Sequence, residues 1–527
     1  MITTPIVDFV KEYNARKGQR LHMPGHKGIS LPYIDMPYCY DITEITGADN
    51  LYNPDGIIAR SEANASKLFG CQTVYSTEGS SQCIKAMLYL ALIHFKMTHR
   101  DYKGRPYVIA ARNVHRAFIH AAALLDLDVV WLMPSEKSDV CTDICTCPID
   151  INALTELVSG NNRHFVIRNN QSPQGSNNQS SDNDNNQSHG SSNNQSSGDD
   201  NNQSFCNSNN QLSGNSNNQP PIGVYITYPD YLGSVNDLAA IAKLCHENDT
   251  LLLVDSAHGA YFRFLDKNKY PKYPFAAEHA DIACTSAHKT LPVLTGGAYL
   301  HVSDNLKEVF PIIKKALALF GSSSPSYLIL TSLDACNRYL AEGYVEELND
   351  FCEMLNGLRE ALTKNGWKVL DTDPLRVSVC IPKEDKPALL ERLHLGGIEP
   401  EYIGEGVCVL LFTPSNLYAG MHRTNVEAML SNTKEIENKD VVNFNYKLNN
   451  QGSLNERTEV GEFFEKIIGA FGLCHGECAT INRSYRQPKS VMSIREAYFD
   501  AESVKRPEVL TCPPAIPEIM VNEVLEE

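Results

Sequence analysis

The chain has 527 residues, 42% of them hydrophobic and 21% charged, with a formal net charge of −17 at pH 7. That length exceeds one small core, so two or three domains are expected. The acidic balance argues against a nucleic-acid or anionic-membrane binder, which needs clustered Lys and Arg; it suits a cationic substrate and equally serves solubility.

Taken in chain order, "TVYST" (73–77) predicts a strand, and "SQCIKAMLYLALIHF" (81–95) a helix entered through the turn "EGSSQ". "YVIAA" (107–111) and "VVWLM" (129–133) predict two further strands separated by the helical pattern "RAFIHAAALL" (116–125). Residues 169–220 are built almost wholly from Asn, Gln, Ser, Gly and Asp, and "NNQ" recurs with a period of eight from 169 to 217. Such a tract has nearly nothing apolar to bury, so a disordered surface loop inserted into an otherwise complete fold is expected. Beyond it, "GVYIT" (223–227), "TLLLVD" (250–255) and "ADIACT" (280–285) predict strands, with a helix over 235–248. The alternation of strand and helix predicts an α/β fold: a mostly parallel sheet covered by helices on both faces. In open sheets of this kind ligands bind at the carboxyl ends of the strands.

Four of those ends carry chemistry. Gly79, Ser80 and Ser81 form a turn that serves either as a phosphate cradle, with backbone N–H groups and hydroxyls at a helix start, or as a plain Ser cap. His115 follows the second strand and either stacks on an aromatic ligand or satisfies a carbonyl. Asp255 ends a wholly apolar strand and must meet a cation, a metal or several N–H groups; His258 lies three residues on. The fourth end carries Ser286, His288 and Lys289, a lysine between two apolar stretches where a free ammonium is costly. Pyridoxal phosphate uses all four, since it needs a lysine, an acid against its ring nitrogen and a phosphate site. Burial lowers a lysine's pKa and frees the amine for this linkage.

No apolar run approaches the roughly 20 residues of a spanning helix, and the N-terminus lacks the features of a signal peptide. Sixteen cysteines without regular spacing fit reduced thiols, so a cytoplasmic protein is expected. "CTDICTC" (Cys141, Cys145, Cys147) and "CHGEC" (Cys474, His475, Cys478) lack the second half of a zinc site, and no metal is expected.

"LHMPGHKG" (21–28), "DITEITGADNLYNPDGII" (41–58), "VDSAHGAYF" (254–262), "SAHKTLPVLTGGAYLHV" (286–302) and "SSSPSY" (322–327) resemble the prokaryotic-type ornithine/lysine/arginine decarboxylases. "SIREAYF" (493–499) and "TCPPAIPEIMVNEVL" (511–525) are similar to that family's small closing domain. The resemblance implies an aspartate-aminotransferase-like fold (fold type I of the pyridoxal-phosphate enzymes), in its short form without an extra N-terminal domain. The expected divisions are an N-terminal segment (1–60), a cofactor-binding large domain (61–335) and a C-terminal small part (336–527).

The resemblance also implies roles. Lys289 matches the Schiff-base lysine, with His288 and Ser286 beside it; Asp255 matches the ring-nitrogen partner, and His115 the stacking histidine. Gly79, Ser80 and Ser81 match the phosphate turn, and His258 stands at the mouth. Ser323 and Ser324 are expected to reach the neighbouring subunit's site, so a homodimer or higher homo-oligomer with shared sites is implied. The family's usual Thr after the fourth strand is replaced by Asp230. Glu44, Asp49, Asp55 and Asp230 are the candidate anions for the distal cation of a basic amino acid, with arginine or lysine favoured over ornithine by analogy. The competing readings are another fold-type-I enzyme, such as an aminotransferase or lyase, and a non-catalytic scaffold acting through the Asn/Gln/Ser tract. An aminotransferase commonly clamps the α-carboxylate with arginine, and no arginine near these motifs is an obvious clamp.

Overall fold

The computed structural model describes residues 2–34, 36–135, 145–159, 220–404, 406–419, 454–472, 494–499, 510–511 and 516–517. The Asn/Gln/Ser tract, Cys141 and the 474–478 cysteine motif lie outside the described residues. No helix among the described residues is long and apolar enough to cross a membrane, and no disulfide joins their cysteines.

A seven-stranded sheet occupies the centre, in the order β1 (Gln72–Ser76), β7 (Ala298–Val302), β6 (Ile282–Thr285), β5 (Leu252–Asp255), β4 (Val224–Thr227), β2 (Tyr107–Ala111) and β3 (Asp128–Leu132). The five strands from β6 to β3 are parallel; β7 runs antiparallel to both β6 and β1. The carboxyl ends of β1, β2, β5 and β6 therefore share one edge. Strand alternation divides the core. Ile109, Ala111, Val224, Ile226, Leu252 and Val254 join one hydrophobic cluster, while Val108, Ala110, Tyr225, Leu253, Ile282 and Cys284 join the other. Because both faces are apolar, helices must cover both. α3 (Ser80–Thr98) and α4 (Arg116–Leu125) pack on the second face; α2 (Ile57–Phe69) lies against β1 and α6 (Leu238–Glu247) against β5.

Element boundaries follow caps the apolar pattern does not show. α6 begins at Leu238, later than the expected 235, because the Asp237 carboxylate accepts the Ala240 N–H at 3.0 Å. The division expected at 335/336 falls inside α9 (Tyr327–Ala341); α10 (Tyr344–Lys364) then leads to a smaller layer. There, β8 (Arg376–Cys380), β10 (Val407–Leu411) and β9 (Tyr402–Ile403) form an antiparallel sheet, in that order. α11 (Lys386–Leu395) and the helix Leu454–Phe471 pack with α10 behind it.

The smaller layer is fastened to the large one by the turn after β4. Ser378 Oγ donates to the Leu232 carbonyl and the Asp373 N–H to the Gly233 carbonyl, both at 2.7 Å. Gly233 has φ +95, and a Cβ there would lie 2.9 Å from Asp373 Oδ2 and from Thr372 Cβ, so only glycine admits this approach.

Asp49 is corrected at this level. Its carboxylate is buried and accepts five backbone N–H groups, those of Asn50, Asp55, Gly56, Ile58 and Ala59, at 2.8–3.3 Å. Burial pushes its carboxyl up, but these donors outweigh burial and hold it below the usual range. Asp49 thus caps α2 and has no capacity left for a substrate cation. Asp49→Ala is expected to lower unfolding stability by about 2 kcal/mol, the upper range for a lost cap, with Asp49→Asn costing less; denaturant titration measures both.

Candidate active site

Lys289 sits on a single helical turn, α7 (Ala287–Thr290), directly after β6. Its Nζ lies 3.0 Å from His258 Nε2. Burial draws its pKa down; Asp255 and Glu401 oppose this, while Arg376 adds to it.

Asp255 is only 2% exposed. Strand parity places Tyr225, Leu253, Asp255 and Cys284 on one side of the sheet. Tyr225 OH donates to Asp255 Oδ2 at 3.1 Å, and the Ala257 N–H to Oδ1 at 3.1 Å. Cys284 Sγ lies 3.7 Å from Oδ1. Burial pushes the Asp255 carboxyl up; the Lys289 charge and these donors pull it back. His258 is buried, and its pKa is held well below the ordinary value by burial and by the neighbouring Lys289 charge.

His115 caps α4: its Nδ1 accepts the Ala117 N–H at 3.1 Å, which fixes the neutral ring with hydrogen on Nε2. Burial, then Lys289 and Arg116, push its pKa down to about 3. The ring thus satisfies a backbone N–H, where the sequence suggested a carbonyl, and it stands within the field of Lys289.

The turn before α3 is bound to the lysine segment by the double glycine. The Gly79 N–H donates to the Gly296 carbonyl at 2.7 Å, and the Gly297 carbonyl accepts from the His288 N–H at 3.2 Å and from its Nδ1 at 2.9 Å. A Cβ at Gly79 would lie 3.8 Å from His288 Cε1, so the turn and the histidine are neighbours. Burial lowers the His288 pKa, and the Gly297 carbonyl works against that.

This corner holds polar groups without partners. The N–H groups of Ser80 and Ser81 have no acceptor among the described residues. The buried hydroxyls of Ser286 and Thr77 and the Nδ1 of His258 are likewise unpartnered among the described residues. Buried polar atoms left without partners are costly. Hydroxyl and N–H donors at a helix start suit an anion such as a phosphate ester, so this donor set fits the cofactor that the sequence implies.

Other expected residues lie elsewhere. Glu44 and Asp55 are exposed, and no hydrogen bond or ion pair among the described residues joins their side chains to the Lys289 group. Asp230 is buried, but its Oδ1 accepts the Ser234 N–H at 2.8 Å within its own turn. Burial pushes its carboxyl up to about 7, against the pull of that N–H and of Arg376. Ser323 and Ser324 are exposed, and no hydrogen bond among the described residues joins their side chains to the Lys289 group.

Two residues of the smaller layer enter unannounced by any motif. Glu401 acts on Lys289 from the start of β9, and its Oε1 accepts from Tyr231 OH at 2.9 Å; the Tyr231 ring meets His258 edge-on at 5.4 Å. Arg376 is fully buried at the start of β8 and pairs through Nη1 with Asp373, while its Nε and Nη2 have no partner among the described residues. It lowers the pKa of both Lys289 and His258. The sequence offers no arginine near the motifs as an obvious clamp; Arg376, far along the chain, is the arginine whose charge acts on Lys289 and His258.

Residues 203–383 match the model of the Orn/Lys/Arg decarboxylase major domain. That match places this segment, which carries Asp255 and Lys289, as similar to the major domain of that family. The chain is similar to the uncharacterized protein YaaO of Bacillus subtilis, 24% identical over 455 residues, covering 83% of this chain and 78% of that one. It is also similar to the arginine decarboxylase of Bacillus subtilis, 23% identical over 372 residues, covering 68% of this chain and 60% of that enzyme's length. Among solved structures, lysine decarboxylase A from Pseudomonas aeruginosa superposes with a TM-score of 0.61 at 15% identity, over 98% of this chain and 74% of that one. The constitutive lysine decarboxylase of Escherichia coli gives 0.59 at 15% identity, over 99% and 76%. The fold is therefore that of the fold-type-I decarboxylases.

The weld between the phosphate turn and the lysine gives a direct test. Gly296 has φ +103, and an added Cβ would stand 2.8 Å from the Thr77 carbonyl oxygen. Gly296→Ala is expected to cost about 1–2 kcal/mol of stability from backbone strain alone. It should also weaken pyridoxal-phosphate retention, read by dialysis and absorbance.

Proposed function

We propose that this chain decarboxylates a basic amino acid, arginine, lysine or ornithine, to the corresponding amine and CO2, with pyridoxal phosphate as cofactor. The observation that carries the reading is the convergence of Lys289, Asp255 and His258 beside unpartnered anion donors, in a chain whose residues 203–383 match that family's major domain. The chain spans 58–60% of the length of two of the arginine decarboxylases it matches.

Ser80, Ser81, Ser286 and Thr77 would hold the phosphate, Asp255 the protonated ring nitrogen, His115 one face of the ring and Lys289 the covalent link. When bound, the cofactor supplies an electron sink for the pair released as CO2 leaves. The protein's part is positioning and proton management. Burial keeps a larger share of Lys289 as the free amine, the form that can attack a carbonyl. Asp255, gripped by its donors, presents a fixed negative charge where positive charge must be kept, which is electrostatic preorganisation. The Gly297 carbonyl takes Nδ1–H of His288 and leaves Nε2 as the basic atom. Lys289 Nζ and His258 Nε2, in contact, form a pair able to hand a proton to the substrate's Cα.

Glu401 is assigned here to receive the distal cation: its charge acts on Lys289, and Tyr231 OH donates to its carboxylate. It replaces the four acidic residues expected from sequence in that role. The chain is further proposed to act as a homodimer, because Leu21 (93% exposed), Ile29 (71%) and Tyr33 (96%) form an apolar N-terminal stretch that a second copy would cover. Ser323 and Ser324 would then face the partner's site.

One observation favours a second reading. The empty Nε–Nη2 edge of Arg376 has the fork geometry that grips a carboxylate, which suits an aminotransferase or lyase that keeps the α-carboxylate. Incubating the holoenzyme with arginine, lysine and ornithine separates the two. Agmatine, cadaverine or putrescine with CO2 supports decarboxylation, and a keto acid supports the second reading.

Two variants test the residues. Lys289→Ala is expected to lose the visible absorbance of the covalently held cofactor and essentially all turnover. Retention of both removes Lys289 from its role. Glu401→Gln is expected to raise KM for the basic amino acid about tenfold or more, in keeping with one lost charge-assisted contact, with cofactor absorbance unchanged.

A further inference from the structure

We infer that Tyr225 is a positioning residue for Asp255: its buried hydroxyl fixes the orientation of that carboxylate and leaves one lone-pair direction for the ligand atom the carboxylate serves. This rests on the reading of Asp255 as the partner of the cofactor's ring nitrogen. The lone pairs decide the matter. A carboxylate offers about four acceptor directions. Oδ1 takes the Ala257 N–H at 3.1 Å and lies 3.7 Å from Cys284 Sγ, while Oδ2 takes Tyr225 OH at 3.1 Å. One direction on Oδ2 remains.

Tyr225 cannot serve anything else there. It is fully buried in β4, its ring is packed 4.5 Å from Phe118, and burial and the Asp255 charge hold its hydroxyl protonated. The register places Tyr225 beside Leu253 and Thr227 beside Asp255, so the phenol reaches along the sheet face to the carboxylate. Charged or titratable groups facing Asp255 come from every packed element: Lys289 from α7, Cys284 from β6, Cys83 from α3 and Tyr225 itself from β4. The Ala257 N–H is backbone and the thiol a weak donor, which leaves Tyr225 as the strongest side-chain donor on the carboxylate.

The test uses full-length Tyr225→Phe, which keeps the ring and removes only the donor. By equilibrium dialysis it is expected to bind pyridoxal phosphate about tenfold more weakly than the parent, the scale of one hydrogen bond to a charged group. Parent-like affinity overturns the inference. A second arm uses the apoprotein. The Asp255 carboxyl already titrates above its unfolded value, and the phenol favours its ionised form, so removing the phenol raises that value further. The variant's stability deficit should therefore grow with rising pH over the range in which the protein stays folded, because only the ionised carboxylate gains from the phenol. A deficit flat across that range overturns the proposal. In an Asp255→Asn background the pH-dependent part should vanish, and its persistence overturns the inference as well. Should the parent itself bind no pyridoxal phosphate, the proposed function fails while the apoprotein arm still decides the role of Tyr225.

Discussion

Asp255 ends a strand that is apolar on both faces, so its charge has no water to lean on. An ionised carboxylate in that position persists only where donors and a countercharge surround it. Much of the large domain's working edge can be traced to that requirement. Tyr225 and Cys284 reach it from the neighbouring strands, the Ala257 N–H from its own chain, and the Lys289 charge from the turn after β6. The same burial that endangers the carboxylate depresses the lysine, and each charge partly restores the other. A base and an acid of shifted strength thus arise from one desolvated corner, an arrangement common at catalytic sites.

A second constraint is the close backbone approach between segments distant in sequence. The turn before α3, the double glycine and His288 are tied through carbonyls, with no long side chain intervening. Such ties hold only where a side chain is absent, which explains the left-handed glycine at 296. Gly233 does the same for the seam between the large domain and the smaller sheet. Gly296 sets how closely the turn before α3 approaches the lysine segment, and Gly233 how closely the turn after β4 approaches Asp373 and Arg376.

The smaller layer contributes residues of opposite sign, Glu401 and Arg376, to the surroundings of Lys289. An amino acid with a cationic side chain carries a carboxylate at one end and a positive group at the other. An arginine and a carboxylate whose charges both act on one lysine therefore match that charge pattern in kind. Neither residue belongs to the large-domain sheet, so any relative movement of the two layers would alter both contacts together.

The order of strands and helices, the edge of the sheet that carries the chemistry, and the identities of Lys289, Asp255, His115, His258, His288 and the serine turn were legible in the chain. Hydrophobic periodicity marks each element, and reactive residue types stand out where an apolar run stops. What tertiary structure alone decided was partnership. Tyr225 reads as one more apolar-strand aromatic until packing brings its hydroxyl to Asp255, and Asp49 reads as a free anion until five N–H groups close on it. Glu401 and Arg376 carry no local signal, because their meaning comes from charges more than eighty positions away in the chain. A sequence records which groups are present; which of them are desolvated together is settled only by packing, and desolvation is what turns ordinary side chains into a site.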